Sequence, residues 1–142
     1  MLPPATETSA LGLEWTTLQN NHEACERNAL FIKMTAVALF AAGVALSFST
    51  VLASFIVVIL WVQEAITRTT QARLGTRLLH IEHMFKLDPM DDGGAFQLHS
   101  DWLAGRAGVS GLLAEYAASA TRPTVAFPYV ALLLVQWWLD AS

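Results

Sequence analysis

From Met34 to Val62 the chain runs 29 residues without a charged side chain, with Lys33 before the run and Glu64 after it. A helix needs about 20 apolar residues to cross a hydrocarbon core roughly 30 Å thick. The run is therefore either one over-long, tilted helix or two short helices joined by a tight turn. Both alternatives predict an integral membrane protein. Composition agrees: 54% of residues are hydrophobic and 14% charged, where soluble domains carry about 25% charged residues.

The centre of the run chooses between the alternatives. Ser47, Ser49 and Thr50 interrupt the apolar residues there, and hydroxyl side chains bond nearby backbone and favour turns and caps. This leaves spans at 29–46 and 51–66. In such a hairpin the eight basic residues, Arg27, Lys33, Arg68, Arg73, Arg77, Lys86, Arg106 and Arg122, all fall on one side of the membrane. A single span would divide them. The positive-inside rule favours the hairpin and makes the basic side, with the N-terminus, cytoplasmic.

A third apolar stretch covers 123–139. Pro123 suits the first turn of a helix, Pro128 is expected to kink or loosen it, and Trp137 and Trp138 suit the far interface. A re-entrant segment is the competing reading. Residues 1–8 read as a loose tail, without the basic start of a secretory signal. Residues 9–142 then form one membrane domain, all-α, with a transmembrane hairpin, a third C-terminal span and cytoplasmic helices.

The cytoplasmic helices are expected at 9–28 and 67–86. Leu11, Trp15, Leu18, His22 and Cys25 alternate steps of four and three, and Ala29, Ile32 and Ala36 prolong the stripe into the first span. On the second helix Ile66 is followed by Leu74, Leu78, Ile81 and Phe85, and Gly75 is the only breaker. The two stripes predict an antiparallel pair below the bilayer. Residues 87–122 read as loop and short helix, loosened by Gly105, Gly108 and Gly111.

Few residues offer chemistry. Arg73, Arg77 and His80 line a second stripe, a candidate face for anionic lipid headgroups, a nucleotide phosphate or an acidic partner; the plainer account is a solvated helix face. Glu64 with Arg68, at i,i+4, forms a candidate pair at the membrane boundary. His22, Cys25, His80 and His83 would converge if the helices pair, yet no HExxH or CxxC announces a metal site. Gln136, the amide deep in the third stretch, is expected to bond another helix. No nucleophile elbow, phosphate-cradling loop or paired catalytic carboxylate stands out, so neither an enzyme nor a cofactor is expected. The net charge of −4 argues against nucleic acid as a partner.

The segment LWVQEAITRTTQARLGTRLLHIE resembles the stretch that closes a two-helix hairpin in small bacterial membrane proteins: a Trp, an acidic residue, then a Gln/Arg-rich amphipathic helix ending in Glu. Here Trp61, Glu64, Gln71, Arg73, Arg77 and Glu82 carry the likeness. The layout is also similar to the SLATT-type hairpin effector modules beside bacterial nucleotide-sensing defence systems, although the third stretch departs from them. The resemblance implies a multi-pass protein of the bacterial cytoplasmic membrane. The functions it leaves open are an adaptor or accessory subunit with a membrane protein partner or self-association, and an oligomeric pore or membrane effector.

Overall fold

Backbone groups in apolar surroundings must find partners within the chain, and helices satisfy that segment by segment. The computed structural model describes residues 10–87, 94–97, 100 and 108–142, and every regular element among them is a helix. These are α1 (Ala10–Ala45), α2 (Thr50–Leu87), α3 (Gly108–Ala120) and α4 (Pro123–Asp140). The expected tail at 1–8, most of the loop after Leu87 and the residues around Gly105 lie outside the described residues. By length and composition, α1 and α2 can each cross a membrane, and α3 with α4 makes a third candidate only as one bent pair.

The turn falls where the hydroxyl residues stand. Phe48 N–H bonds the Gly43 carbonyl at 2.9 Å and Ser47 N–H bonds Val44 at 3.2 Å, while Ser47 takes a left-handed φ of 54°. That pattern closes the free carbonyls at the end of α1. Ser49 Oγ then accepts from Leu52 N–H at 3.3 Å, capping α2. At the same end Thr50 Oγ1 donates to Asp140 Oδ1 at 2.6 Å, which ties in the last residue of α4.

Past the turn, α1 and α2 run antiparallel along their whole length. In the apolar half α1 buries Ala29, Ala36 and Gly43, one residue in seven, and α2 buries Ala53, Val57 and Ala65. Small side chains at this spacing bring helix backbones close together. In the polar half the seam widens to take larger residues. Leu11, Leu18, Leu74, Leu78 and Ile81 form a core, with Trp15, Cys25, Met84, Phe85 and Ala95 against it. Ile66, placed by its spacing on the same stripe, is instead exposed.

Helix α4 buries Val125, Tyr129 and Gln136, and Tyr129 joins Ala36 of α1 and Val57 of α2 in a second core. The sharp bend, 69°, lies between α3 and α4 at Thr121–Arg122, and α4 continues unbroken through Pro128. A proline has no N–H to give the carbonyl four residues earlier, here Thr124 O, and that freed acceptor matters below.

Candidate functional site

Glu64 is the first charged residue after the long apolar run, and it is fully buried. An isolated carboxylate could not be sustained there, because burying an unpaired charge costs several kcal/mol, about 3–5 when one partner of a pair is missing. Three helices supply what it needs. Lys33 Nζ of α1 lies 3.0 Å from Glu64 Oε1, Arg68 Nε of α2 lies 3.5 Å from the same oxygen, and the Tyr129 hydroxyl of α4 donates to Oε2 at 2.7 Å.

Each partner is itself held. Lys33 Nζ also donates to Thr124 O at 2.9 Å, the acceptor that Pro128 leaves without its helical donor. Arg68 Nη1 donates to Gln71 Oε1 at 2.8 Å. The Tyr129 ring stacks on Trp61 with centroids 6.1 Å apart and planes 9° from parallel, and Trp61 Nε1 donates to Ala120 O at 3.1 Å. Farther along α2, Thr69 and Ser119 hydroxyls bond at 2.8 Å, and Arg73 pairs with Glu115 at 2.7 Å. A polar ladder thus binds α3 along α2.

A second buried pair closes the far end of the polar half. Arg77 Nε donates to Glu14 Oε1 at 2.9 Å and Nη2 to Oε2 at 3.2 Å, a two-pronged contact of the kind that suits guanidinium and carboxylate. Arg77 also donates to Gly94 O, and Phe96 N–H to Glu14 Oε2. Burial alone would raise the Glu14 carboxyl. The hydrogen bonds from Arg77 and Phe96, with the charges of Arg77 and His80, outweigh it and hold the group below the usual carboxylate range.

The expected boundary pair Glu64–Arg68 is therefore part of a larger cluster that includes Lys33 and Tyr129. The stripe Arg73, Arg77 and His80 does not form one open face. Arg77 turns inward to Glu14, Arg73 holds Glu115 of α3, and His80 alone of the three is exposed. Two helices pack on α2 from different sides and divide the stripe between them. His22 packs over Gly75, where an added Cβ would lie 3.7 Å from Nε2. No group of three or more His, Cys, Asp or Glu among the described residues is placed to hold a metal ion, His22, Cys25, His80 and His83 included. Gln136 is buried as an inward residue of α4, but its Oε1 makes no hydrogen bond among the described residues.

Tyr129, Lys33, Glu14 and Glu115 were not singled out from sequence. Lys33 could have been, since it and Glu64 are the charges flanking a run that folds back on itself. Glu14 sits at a helical step from Leu11 and Leu18, which marks it as inward-facing.

No protein-family model, curated protein or solved structure matches this chain. What the geometry offers is charge held within the bundle. Glu64 is fully buried, with Oε2 hydrogen-bonded by Tyr129 and Oε1 in ion-pair contact with Lys33 and Arg68 but without a hydrogen bond among the described residues. Two grooves of about 400 Å³ each are open and almost wholly apolar, one between α2 and α4 near Thr50 and Trp137, the other along α4 near Phe127.

Proposed function

We propose that this chain is an integral membrane adaptor or accessory subunit without catalytic activity of its own, acting through the helices of its polar half. In this reading α1, α2 and α4 cross the bilayer, the hairpin turn and Asp140 face outward, and the polar half with the N-terminus is cytoplasmic. The positive-inside rule supports that orientation. A bacterial cytoplasmic membrane is the location that the hairpin resemblance suggests.

One observation carries the adaptor reading. The Glu14–Arg77 pair stiffens the end of the polar half, and large apolar side chains stand exposed at that level: Leu13 beside Glu14, Leu79 two residues from Arg77, and Phe96 on the segment bonded to Glu14. In the apolar half such side chains face lipid. Here they face water and fit a protein partner. A second reading, a self-associating pore or membrane effector, is favoured by the outward face of α1 in the apolar half, where Thr35, Ala38, Ala42 and Ala45 are exposed at helical spacing.

The deciding experiment is mild-detergent extraction at native expression, comparing the parent with a variant in which Leu13, Leu79 and Phe96 are changed to Ser. A defined complex with a different polypeptide, lost in the variant, supports the adaptor. A discrete homo-oligomer unaffected by the three changes overturns it in favour of the pore.

A further inference from the structure

The Glu64 cluster does not balance its own charge. One carboxylate faces two cations, since Lys33 and Arg68 both approach Glu64 Oε1 within 3.5 Å. A third cation, Arg122, is exposed immediately before α4, two residues from the Thr124 carbonyl that Lys33 holds. The nearest acidic residues in sequence do not cancel this surplus. Glu115 is engaged by Arg73, and exposed Glu26 stands seven residues before Lys33 on α1, about 10 Å along the helix.

Depth narrows what can neutralise it. Lys33 is the last charge before the run that begins at Met34, Glu64 the first after it, and Arg122 the last before the uncharged stretch from Pro123 to Leu139. The contacts of Lys33 with Glu64 and Thr124 bring these three chain positions to one level of the bundle. In the membrane reading proposed above, on which this inference rests, that level is the headgroup region of the cytoplasmic leaflet. Donors remain as well as charge. Lys33 Nζ has three and gives one to Thr124 O, while the five-donor guanidinium of Arg68 gives Nη1 to Gln71; their contacts with Glu64 Oε1 are ion pairs without a hydrogen bond, and Arg68 Nε is buried with no hydrogen-bond partner among the described residues. Both side chains keep about a quarter of their surface open, 23% and 24%.

We propose that Lys33, Arg68 and Arg122 bind the phosphate of an acidic phospholipid at the level where α1, α2 and α4 meet. Lys33 and Arg68, held at this level beside Glu64, give the donors, and Arg122 closes over the phosphate from the α3–α4 bend. A lipid phosphate is the abundant anion at that depth, and a basic cluster between spans on the cytoplasmic side suits it.

The test uses the full chain in phosphatidylcholine nanodiscs with and without phosphatidylglycerol, followed by native mass spectrometry of retained lipid. Each surplus cation near the surface contributes about five-fold in affinity, so two predict a preference for phosphatidylglycerol on the order of 25-fold. R122Q, an exposed change outside the Glu64 contacts, is expected to lower it about five-fold, and R122K to retain most of it. Equal retention of the two lipids by the parent overturns the proposal, and so does an unchanged preference in R122Q. If inorganic phosphate raises the unfolding temperature in pure phosphatidylcholine as much as phosphatidylglycerol does, the lipid assignment is overturned in favour of free phosphate. A chain that fails to enter nanodiscs, and is stripped from native membranes by alkaline carbonate, overturns the membrane reading together with the lipid site.

Discussion

The Tyr129 hydroxyl donates a 2.7 Å hydrogen bond to Glu64 Oε2 and so joins residues 65 positions apart. With Lys33 and Arg68 on the other oxygen, this bond makes Glu64 the point where α1, α2 and α4 meet. E64Q leaves two cations without their counter-charge. The expected loss is about 3 kcal/mol, the low end for breaking a buried pair, because both cations can turn toward solvent. Y129F removes one bond to a charged acceptor and is expected to cost about 1.5–2 kcal/mol. Unfolding in detergent, run as a double-mutant cycle, should show coupling of about 1 kcal/mol or more. An E64Q protein as stable as the parent would remove Glu64 from this role.

Glu14 predicts a pH dependence with a definite sign. Its carboxyl is held below the ordinary value in the folded chain. The stabilisation is therefore complete above about pH 4.3, the unfolded value for a glutamate, and is lost as pH falls through the lower folded value. The difference in stability between parent and E14Q should shrink as pH is lowered through this window. A difference that is constant from neutral pH to acid would contradict the Arg77 and Phe96 contacts as the cause.

Gly75 lies inside α2, and an added Cβ there would make only ordinary contact, at 3.7 Å from His22 Nε2. Gly75→Ala is expected to raise stability by up to about 1 kcal/mol, from helix propensity alone. Its unfolding midpoint decides the matter. A lower midpoint would mean that His22 sits tighter on α2 than its distance indicates.

Cys25 is half-buried against the core of the polar half, and burial pushes its thiol above the ordinary range. The thiolate is the reactive form. Maleimide labelling at neutral pH should therefore be slower in the folded protein than in denaturant. Equal rates would place Cys25 at an open surface.

Much of the framework was legible because it depends on periodicity and on a few residues with strong local preferences. The hydroxyls at Ser47 and Ser49 marked the turn, and both amphipathic stripes marked the seam between α1 and α2. Pro123 marked the first turn of α4. The cluster was harder to read because its parts are tertiary. Glu64 and Arg68 are one helical turn apart and visible as a pair, but Tyr129 is a single aromatic residue in an apolar stretch. Nothing local says that its hydroxyl faces a carboxylate. The basic stripe illustrates the same limit: Arg73, Arg77 and His80 share one side of a helix in sequence. Which of them stays open depends on Glu14 and Glu115, which arrive on other helices.

Helix α1 passes from the polar to the apolar half without a break, 36 residues from Ala10 to Ala45, a rod about 54 Å long. Lys33 lies part-way along it and is tied to both other long helices. The Glu14–Arg77 pair and the core of Leu11, Leu18 and Ile81 fasten it to α2 near its start as well. A load applied at the Leu13 end is therefore carried to the hairpin turn by both helices together.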